Sequence, residues 1–96
     1  MDQGQIWLAD LREEERRRVV VMSAEPFHRL ADRVWVVPEL VGGEHDDLPW
    51  RLVIDDRVYA VDHLRSVPVS SLLEQVGTAP VPELARARRA VLAITA

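Results

Sequence analysis

The sequence contains no cysteine and no lysine, and only 5% of its residues are aromatic. Without cysteine, the chain can form no disulfide, no thiolate zinc site and no cysteine nucleophile. No apolar run approaches the roughly 20 residues that a membrane-spanning helix needs. The opening residues, MDQGQIWLAD, lack the basic and apolar regions of a signal peptide. We therefore expect a cytoplasmic protein that makes no contact with a membrane.

The charged residues are nearly balanced, with 12 basic and 16 acidic side chains and a net charge of −4. Every basic residue is an arginine. A high-GC genome explains this usage without any functional role, although guanidinium groups also suit bidentate contacts to phosphate. An acidic chain is not coated in charge that binds nucleic acid, but it permits a local basic patch. The length of 96 residues and the 48% hydrophobic content predict one folded domain over residues 1–96.

Short apolar segments separated by turn signals predict a mainly β protein. The predicted strands cover residues 5–11, 19–22, 33–37, 50–54, 58–61, 63–67 and part of 69–76. A short helix near residues 25–31 is expected to pack Phe27 and Leu30 inward, and a longer helix is expected from Pro82 onward. Residues 55–57 predict a tight turn. Together these elements predict a small, twisted, SH3-like antiparallel β-barrel with a C-terminal helix packed on it.

Four sequence blocks, in this order and spacing, resemble those of the MazF/PemK toxins, the toxin halves of bacterial toxin–antitoxin pairs. The blocks are GQIWLADL at 4–11, RRVVVMS at 17–23, VWVVPEL at 34–40 and DHLRSV at 62–67. The resemblance spans nearly the whole chain. It implies a barrel-like homodimer related in fold to the CcdB gyrase poison. It also implies cleavage of single-stranded RNA without a metal or other cofactor, inhibited by an acidic antitoxin.

The resemblance carries a catalytic role onto Arg17, but the chain departs from the family pattern nearby. The Arg17 guanidinium would neutralise the scissile phosphate and stabilise its developing charge. The family's Thr or Ser falls on residues 38–40, where Leu40 has no hydroxyl for proton transfer. The hairpin at residues 12–16 also lacks the family's glycine-rich loop. Whether the chain is an enzyme therefore stays open. The alternative is a catalytically degenerate protein that binds an antitoxin, RNA or a gyrase-type partner.

His63 and Glu39 are the candidates for the missing proton transfer. His63 has an alternative role as a strand histidine satisfied by Asp62 or by backbone, and strand alternation would point these two side chains to opposite faces. Glu39 has the alternative of a solvated glutamate at a strand end. Arg17 has the alternative of an ion pair with one of the glutamates at 13–15.

We assign four further residues to RNA contact: Arg16, Arg18, Trp50 and Arg65. Arg16 and Arg18 flank Arg17 and face alternately along the strand, so either one is a substitute for it. Trp50 follows a glycine-rich loop and offers a surface on which a base can stack. Arg65 lies in the fourth resemblance block. The other two tryptophans, at positions 7 and 35, lie among aliphatic residues, which favours packing in the core or in a dimer interface.

The remaining histidines and the last arginine cluster are assigned no role in the chemistry. His28 and His45 are expected to be solvated. Consecutive residues rarely converge on one ion, so residues 45–47 (His-Asp-Asp) are expected to bind no metal. The arginines at 86, 88 and 89 are expected near the C-terminus of the last helix, where the helix dipole favours positive charge.

Overall fold

The computed structural model describes residues 1–42 and 48–96 of the chain. The elements are β1 Gln5–Ala9, β2 Arg17–Val21, α1 Glu25–Ala31, β3 Arg33–Pro38, β4 Arg51–Ile54, β5 Arg57–Ala60, β6 Arg65–Pro68, β7 Leu72–Thr78 and α2 Val81–Thr95. Single-turn 3-10 helices precede β6 and β7, at Val61–His63 and Val69–Ser71. The predicted solvated His45 and the excluded metal motif at 45–47 lie outside the described residues. No helix in the described part of the chain is long and apolar enough to cross a membrane.

Five strands form one antiparallel sheet in the order β6-β3-β2-β1-β7, and β4 and β5 form a separate hairpin. An isolated bridge between Glu39 and Tyr59 joins the hairpin to the chain just after β3. This link partly closes the sheet into a barrel, and α2 contacts the structure along β4. The predicted mainly β, barrel-like fold with a C-terminal helix is confirmed.

Strand β2 contributes buried valines to both faces of the sheet. Val20 belongs to one buried cluster, together with Ile6 and Tyr59, whereas Val19 and Val21 belong to a second buried cluster. Side chains alternate across a strand, so the two clusters lie on opposite faces of the sheet. The continuous apolar run at residues 19–22 predicted a strand covered on both faces, and the structure agrees.

The hairpin between β4 and β5 turns at Asp55 and Asp56, whose φ angles are 51° and 62°. Two successive residues with positive φ give a turn whose twist matches that of the flanking strands. Aspartate tolerates this left-handed conformation better than bulkier residues do. The predicted tight turn is therefore confirmed, and it fixes the backbone position of Asp55.

Helix α1 packs differently from the prediction. Phe27 is 39% exposed and Leu30 is 91% exposed, whereas His28 is only 5% exposed. Nε2 of His28 lies 2.7 Å from the Ser23 hydroxyl oxygen, and Nδ1 of His28 lies 3.2 Å from the Met1 carbonyl oxygen. The helix has only seven residues and returns at once into β3. So short a helix buries one side chain here. That side chain is His28, because Ser23 and Met1 provide hydrogen-bond partners for both of its ring nitrogens. The predicted inward packing and the solvated His28 are wrong.

The arginines of α2 occupy its middle turns and not its end. The helix runs to Thr95, and its last turn carries no basic residue. The Arg88 guanidinium donates to the Gln3 side-chain oxygen. The helix dipole acts within the first and last turns, so it does not account for this cluster. The predicted position near the C-terminus is wrong because the helix continues past the arginines.

Candidate functional site

Arg17 is the first residue of β2, and its guanidinium reaches two neighbouring segments. One nitrogen donates to Glu13 Oε2 at 2.8 Å, and another donates to the Glu39 carbonyl oxygen at 3.3 Å. The side chain is half-buried. The alternative predicted for Arg17, an ion pair with a preceding glutamate, is therefore present. The same contacts also hold Arg17 beside Glu39, the predicted base.

Glu39 follows β3 and lies between two arginines. Its carbonyl oxygen accepts from Arg17, and its Oε2 accepts from the Arg57 guanidinium at 2.7 Å. Its own N–H donates to the Arg18 carbonyl oxygen, which fixes its position beside β2. The hydrogen bond to Glu39 raises the pKa of Arg57. Arg57 was not among the predicted site residues, because its contact with Glu39 arises only when the β4–β5 hairpin folds over the end of β3.

Tyr59 lies next to Glu39 and Arg57. It is only 1% exposed and packs in the apolar cluster around Ile6. Burial, followed by the nearby Glu39 carboxylate, raises the pKa of Tyr59 to about 12. The phenol therefore stays protonated at neutral pH and is able to donate a hydrogen bond. Tyr59 was predicted to lie in a strand at residues 58–61 and was not among the predicted site residues.

An open cleft lies beside Glu39 and Arg57. The residues that line it include Arg16, Glu39, Leu40 and Arg57. The Leu40 N–H donates to the Val58 carbonyl oxygen at 2.7 Å, so the Leu40 backbone is paired with the hairpin while its side chain borders the cleft. Leucine supplies no hydrogen-bond donor or acceptor in its side chain. Proton transfer in this cleft would therefore need a different residue, and Glu39 is the carboxylate in its lining next to Leu40.

Arg18 faces away from Arg17, as strand alternation predicts. It borders a smaller pocket together with Arg57 and Tyr59, on the sheet face that also carries Val20. Arg16 lines the cleft and Arg18 lines the smaller pocket, whereas Arg17 lines a third recess together with Arg16 and the glutamates at 13–15.

His63, the second proton-transfer candidate, belongs to a different group of residues. It ends the 3-10 turn before β6 and is exposed, with Nε2 3.7 Å from Asp62 Oδ2. Asp62 also pairs with the buried Arg51. The prediction that Asp62 and His63 point to opposite faces of a strand is wrong, because these residues form a turn in which strand alternation does not apply. Within residues 1–42 and 48–96, no hydrogen bond or ion pair joins His63 to Arg17 or Glu39.

Trp50 and Arg65 also lie apart from Arg17. Trp50 is exposed, and its carbonyl oxygen accepts from the Val61 N–H at 2.9 Å, which places it beside the 3-10 turn. Arg65 begins the edge strand β6 opposite Val36, and β3 separates it from β2. Both side chains are accessible, as an RNA contact would require. The structure thus brings together Arg16, Arg17, Arg18 and Glu39, and it leaves His63, Trp50 and Arg65 outside that cluster.

The described residues contain no group of three histidine, aspartate or glutamate side chains arranged to hold a metal ion. The guanidinium groups of Arg16 and Arg57 border the cleft together with the carboxylates of Glu15, Glu39, Asp55 and Asp56. The chemistry that this arrangement can perform is anion binding by the guanidinium groups and proton transfer by a carboxylate beside them.

Comparison with known proteins identifies similar folds. A MazE–MazF complex from Deinococcus radiodurans aligns with a TM-score of 0.83 and 21% identity, covering 99% of this chain and 95% of that chain. An endoribonuclease in complex with its cognate antitoxin, from a mycobacterial species, aligns with a TM-score of 0.85 and 13% identity, covering 99% and 94%. Toxin MazF-mt6 of Mycobacterium tuberculosis aligns with a TM-score of 0.76 and 20% identity, covering 91% of each chain.

At these identities the structural likeness establishes the fold. No protein with a curated function matches the sequence significantly. The family model for PemK-like, MazF-like toxins matches residues 2–95, which is nearly the whole chain. The resemblance inferred from the four sequence blocks is thereby confirmed. The chain belongs to the PemK-like, MazF-like toxins of type II toxin–antitoxin systems.

Proposed function

We propose that this toxin is an endoribonuclease that cleaves single-stranded RNA at specific sequences, without a metal ion, and so blocks translation. The observation that carries the proposal is the contact between Arg17 and Glu39: the guanidinium lies 3.3 Å from the carbonyl oxygen of Glu39, and Glu39 lines the open cleft. Cleavage by the RNA 2′-hydroxyl needs a cation at the phosphate and a group that accepts a proton. Arg17 would supply the cation, and Glu39, whose backbone Arg17 contacts, would supply the carboxylate.

In this proposal, Arg17 binds the scissile phosphate. As the 2′-oxygen attacks phosphorus, negative charge grows on the phosphate oxygens, and a guanidinium held beside them stabilises that charge. Guanidinium groups also match phosphate oxygens in bidentate geometry. RNA would have to replace Glu13 as the partner of Arg17, because the Glu13 carboxylate occupies that side of the guanidinium.

Glu39 is the proposed base for the 2′-hydroxyl, in place of the hydroxyl that Leu40 lacks. It lines the cleft, and Arg57 holds its carboxylate in one orientation. His63 stays a proposed second proton-transfer group, because a neutral imidazole has one nitrogen that accepts a proton and one that donates a proton. Its place beside Asp62 makes it the weaker candidate, since no contact among the described residues brings it to Arg17.

We propose that RNA also contacts Arg16, Arg18, Trp50 and Arg65. Arg16 borders the cleft and Arg18 borders the adjacent pocket, and both guanidinium groups would attract the RNA backbone. Trp50 is exposed and offers a ring face for base stacking. Arg65 and Trp50 lie outside the Arg17 cluster, so these two contacts require an RNA segment several nucleotides long.

The proposed partners are an acidic antitoxin and a second copy of this chain. Two of the similar structures are described as complexes of a toxin with its antitoxin. An acidic antitoxin segment would bind the same arginines as RNA does and would thereby block the cleft. Exposed apolar side chains such as Trp35 and Leu92 favour a homodimer that covers them, each subunit contributing residues 1–96 as one domain.

A second candidate function is a catalytically degenerate toxin that binds an antitoxin, RNA or a gyrase-type partner without cutting RNA. The absence of a hydroxyl at Leu40 favours it, and so does the ion pair that occupies Arg17. Both candidates use the same cleft. They differ in whether a proton is transferred there.

The test is an RNA cleavage assay in EDTA, with cut sites mapped by primer extension. Wild-type protein, purified free of antitoxin, is compared with Arg17→Ala and with Arg29→Ala. The control removes a guanidinium from the exposed helix α1, which joins β2 to β3 at the end of the sheet opposite Arg17. We expect discrete cuts from wild type and Arg29→Ala, and a loss of at least about 100-fold for Arg17→Ala.

Two results would change the proposal. Normal cutting by Arg17→Ala would remove the phosphate-binding role from Arg17. No cutting by a folded wild-type protein that still binds RNA or an antitoxin would favour the degenerate toxin. If cutting is found, Glu39→Gln and His63→Asn come next, because they separate the two proton-transfer candidates.

A further inference from the structure

A small pocket of about 160 Å³ opens beside the cleft, on the sheet face that carries Arg18. Asp55 and Arg57 border both the pocket and the cleft, so the two recesses are adjacent. A nucleotide bound in the cleft beside Glu39 would therefore have this pocket within reach. Arg18 was proposed to attract the RNA backbone, whereas the interior of the pocket has no role in that proposal.

The inner wall of the pocket is apolar. Ile6 from β1, Ile54 from β4 and Val76 from β7 border it, and the buried Tyr59 lies against them. Flat, uncharged rings bury their faces favourably on such a wall. These apolar side chains are combined with the charged side chains of Arg18, Asp55 and Arg57 at the same pocket.

The polar groups at the rim are of both kinds, donor and acceptor. Asp55 offers a carboxylate, and Arg18 offers a guanidinium that has no ion-pair partner among the described residues, unlike Arg17 and Arg57. Asp55 is exposed and Arg18 is half-buried, so a ligand in the pocket could contact both charged groups. A ligand that matches them must present adjacent donors and acceptors on a flat ring.

We propose that this pocket binds a guanine base of the RNA, so that Asp55 and Arg18 determine which sequence the toxin selects. The inference rests on the proposed function. Guanine presents two acceptors, O6 and N7, that match a guanidinium, and an amino donor that matches a carboxylate. Adenine presents an amino group where guanine has O6, so a guanidinium would meet a donor. Pyrimidines are smaller and cover less of the apolar wall.

The turn that carries Asp55 supplies a matched pair of variants. Asp55 and Asp56 are neighbours in the turn, both have positive φ, and both are exposed, but only Asp55 borders the pocket. Asparagine tolerates positive φ as well as aspartate does. Asp55→Asn and Asp56→Asn therefore remove the same charge from the same turn with little change in backbone strain.

The test is fluorescence anisotropy with labelled 2′-O-methyl oligouridines that carry a single central guanine, adenine or cytosine, or none. The 2′-O-methyl group removes the attacking hydroxyl, so binding is measured without cleavage. We expect the guanine oligonucleotide to bind wild type about tenfold more tightly than the others. Asp55→Asn and Arg18→Gln should lose this preference, and Asp56→Asn should keep it. Circular dichroism and thermal unfolding verify that each variant is folded.

The failure of this inference differs from the failure of the proposed function. Equal binding of all four oligonucleotides, or a preference for a base other than guanine, would overturn the guanine pocket and leave RNA as the ligand. A guanine preference that survives in Asp55→Asn would likewise overturn it. No binding of any oligonucleotide would overturn both proposals.

Discussion

The carboxylate of Glu13 accepts a 2.8 Å hydrogen bond from the guanidinium of Arg17, four residues later, across the β1–β2 hairpin. The hairpin therefore supplies an internal anion to the arginine that is proposed to bind phosphate. Glu13 belongs to the charge block at residues 12–18, whose acidic half precedes its basic half. An RNA phosphate or an antitoxin carboxylate must compete with Glu13 for the same guanidinium.

We expect Glu13→Gln to bind RNA two- to fivefold more tightly than wild type. Partly exposed ion pairs contribute about 0–1 kcal/mol, so removing the competing carboxylate gives a modest gain. The difference in affinity between Glu13→Gln and wild type should shrink in high salt, because salt screens the negative charge that the substitution removes. Fluorescence anisotropy with a non-cleavable RNA at two salt concentrations measures both effects.

Glu14→Gln is the control for this prediction, since it removes the same charge from the same hairpin. Glu14 is exposed and makes no ion pair within the described residues. An equal gain in both variants would mean that the overall charge of the hairpin matters, and that the contact between Glu13 and Arg17 does not.

The elevated pKa of Tyr59 predicts a loss of stability at alkaline pH. Burial raises its folded-state pKa to about 12, whereas an unfolded tyrosine titrates near ~10. Between these values the unfolded chain releases the phenolic proton and the folded chain retains it. The free energy of unfolding therefore falls as pH rises from about 10 towards 12, and Tyr59→Phe should lack this contribution.

Urea unfolding of wild type and Tyr59→Phe between pH 8 and about 12 measures the difference. Tyr59 is the only tyrosine in the chain, so tyrosinate absorbance reports its titration directly. A phenol that titrates near ~10 in the folded protein would contradict the burial seen at this site. Parallel pH dependence in the two proteins would do the same.

The exposed Trp35 predicts a surface that a second copy covers. Trp35 is 41% exposed on β3 and borders an apolar depression with Met22, Leu64 and Val91. We expect wild type to be a dimer at micromolar concentration and Trp35→Asp to shift towards monomer, because a carboxylate in an apolar interface is costly. Sedimentation velocity over a range of concentrations gives the result.

Val53→Asp is the control for the dimer prediction. Val53 is 40% exposed on β4 and does not border the depression around Trp35. It should leave the dimer intact. A monomeric wild type would exclude the homodimer, and an equal effect of both substitutions would place the interface elsewhere.

The sequence alone determined the strands, the turn and the family. Alternating and continuous apolar runs fix which segments become strands, because burial of those side chains drives folding. The apolar run at residues 19–22 predicted the strand, and strand alternation predicted different faces for Arg17 and Arg18. The tight turn at residues 55–57 was predicted because these polar residues separate two apolar runs.

Only the tertiary structure decided which side chains meet. Glu39 and Arg57 are 18 positions apart, and they pair because the β4–β5 hairpin folds over the end of β3. The burial of His28 in place of Phe27 depended on Ser23 and Met1, which lie outside α1. His63 was separated from Arg17 because a 3-10 turn interrupted the expected strand. Local pattern fixes the conformation of a segment, whereas partners distant in sequence depend on how the segments pack.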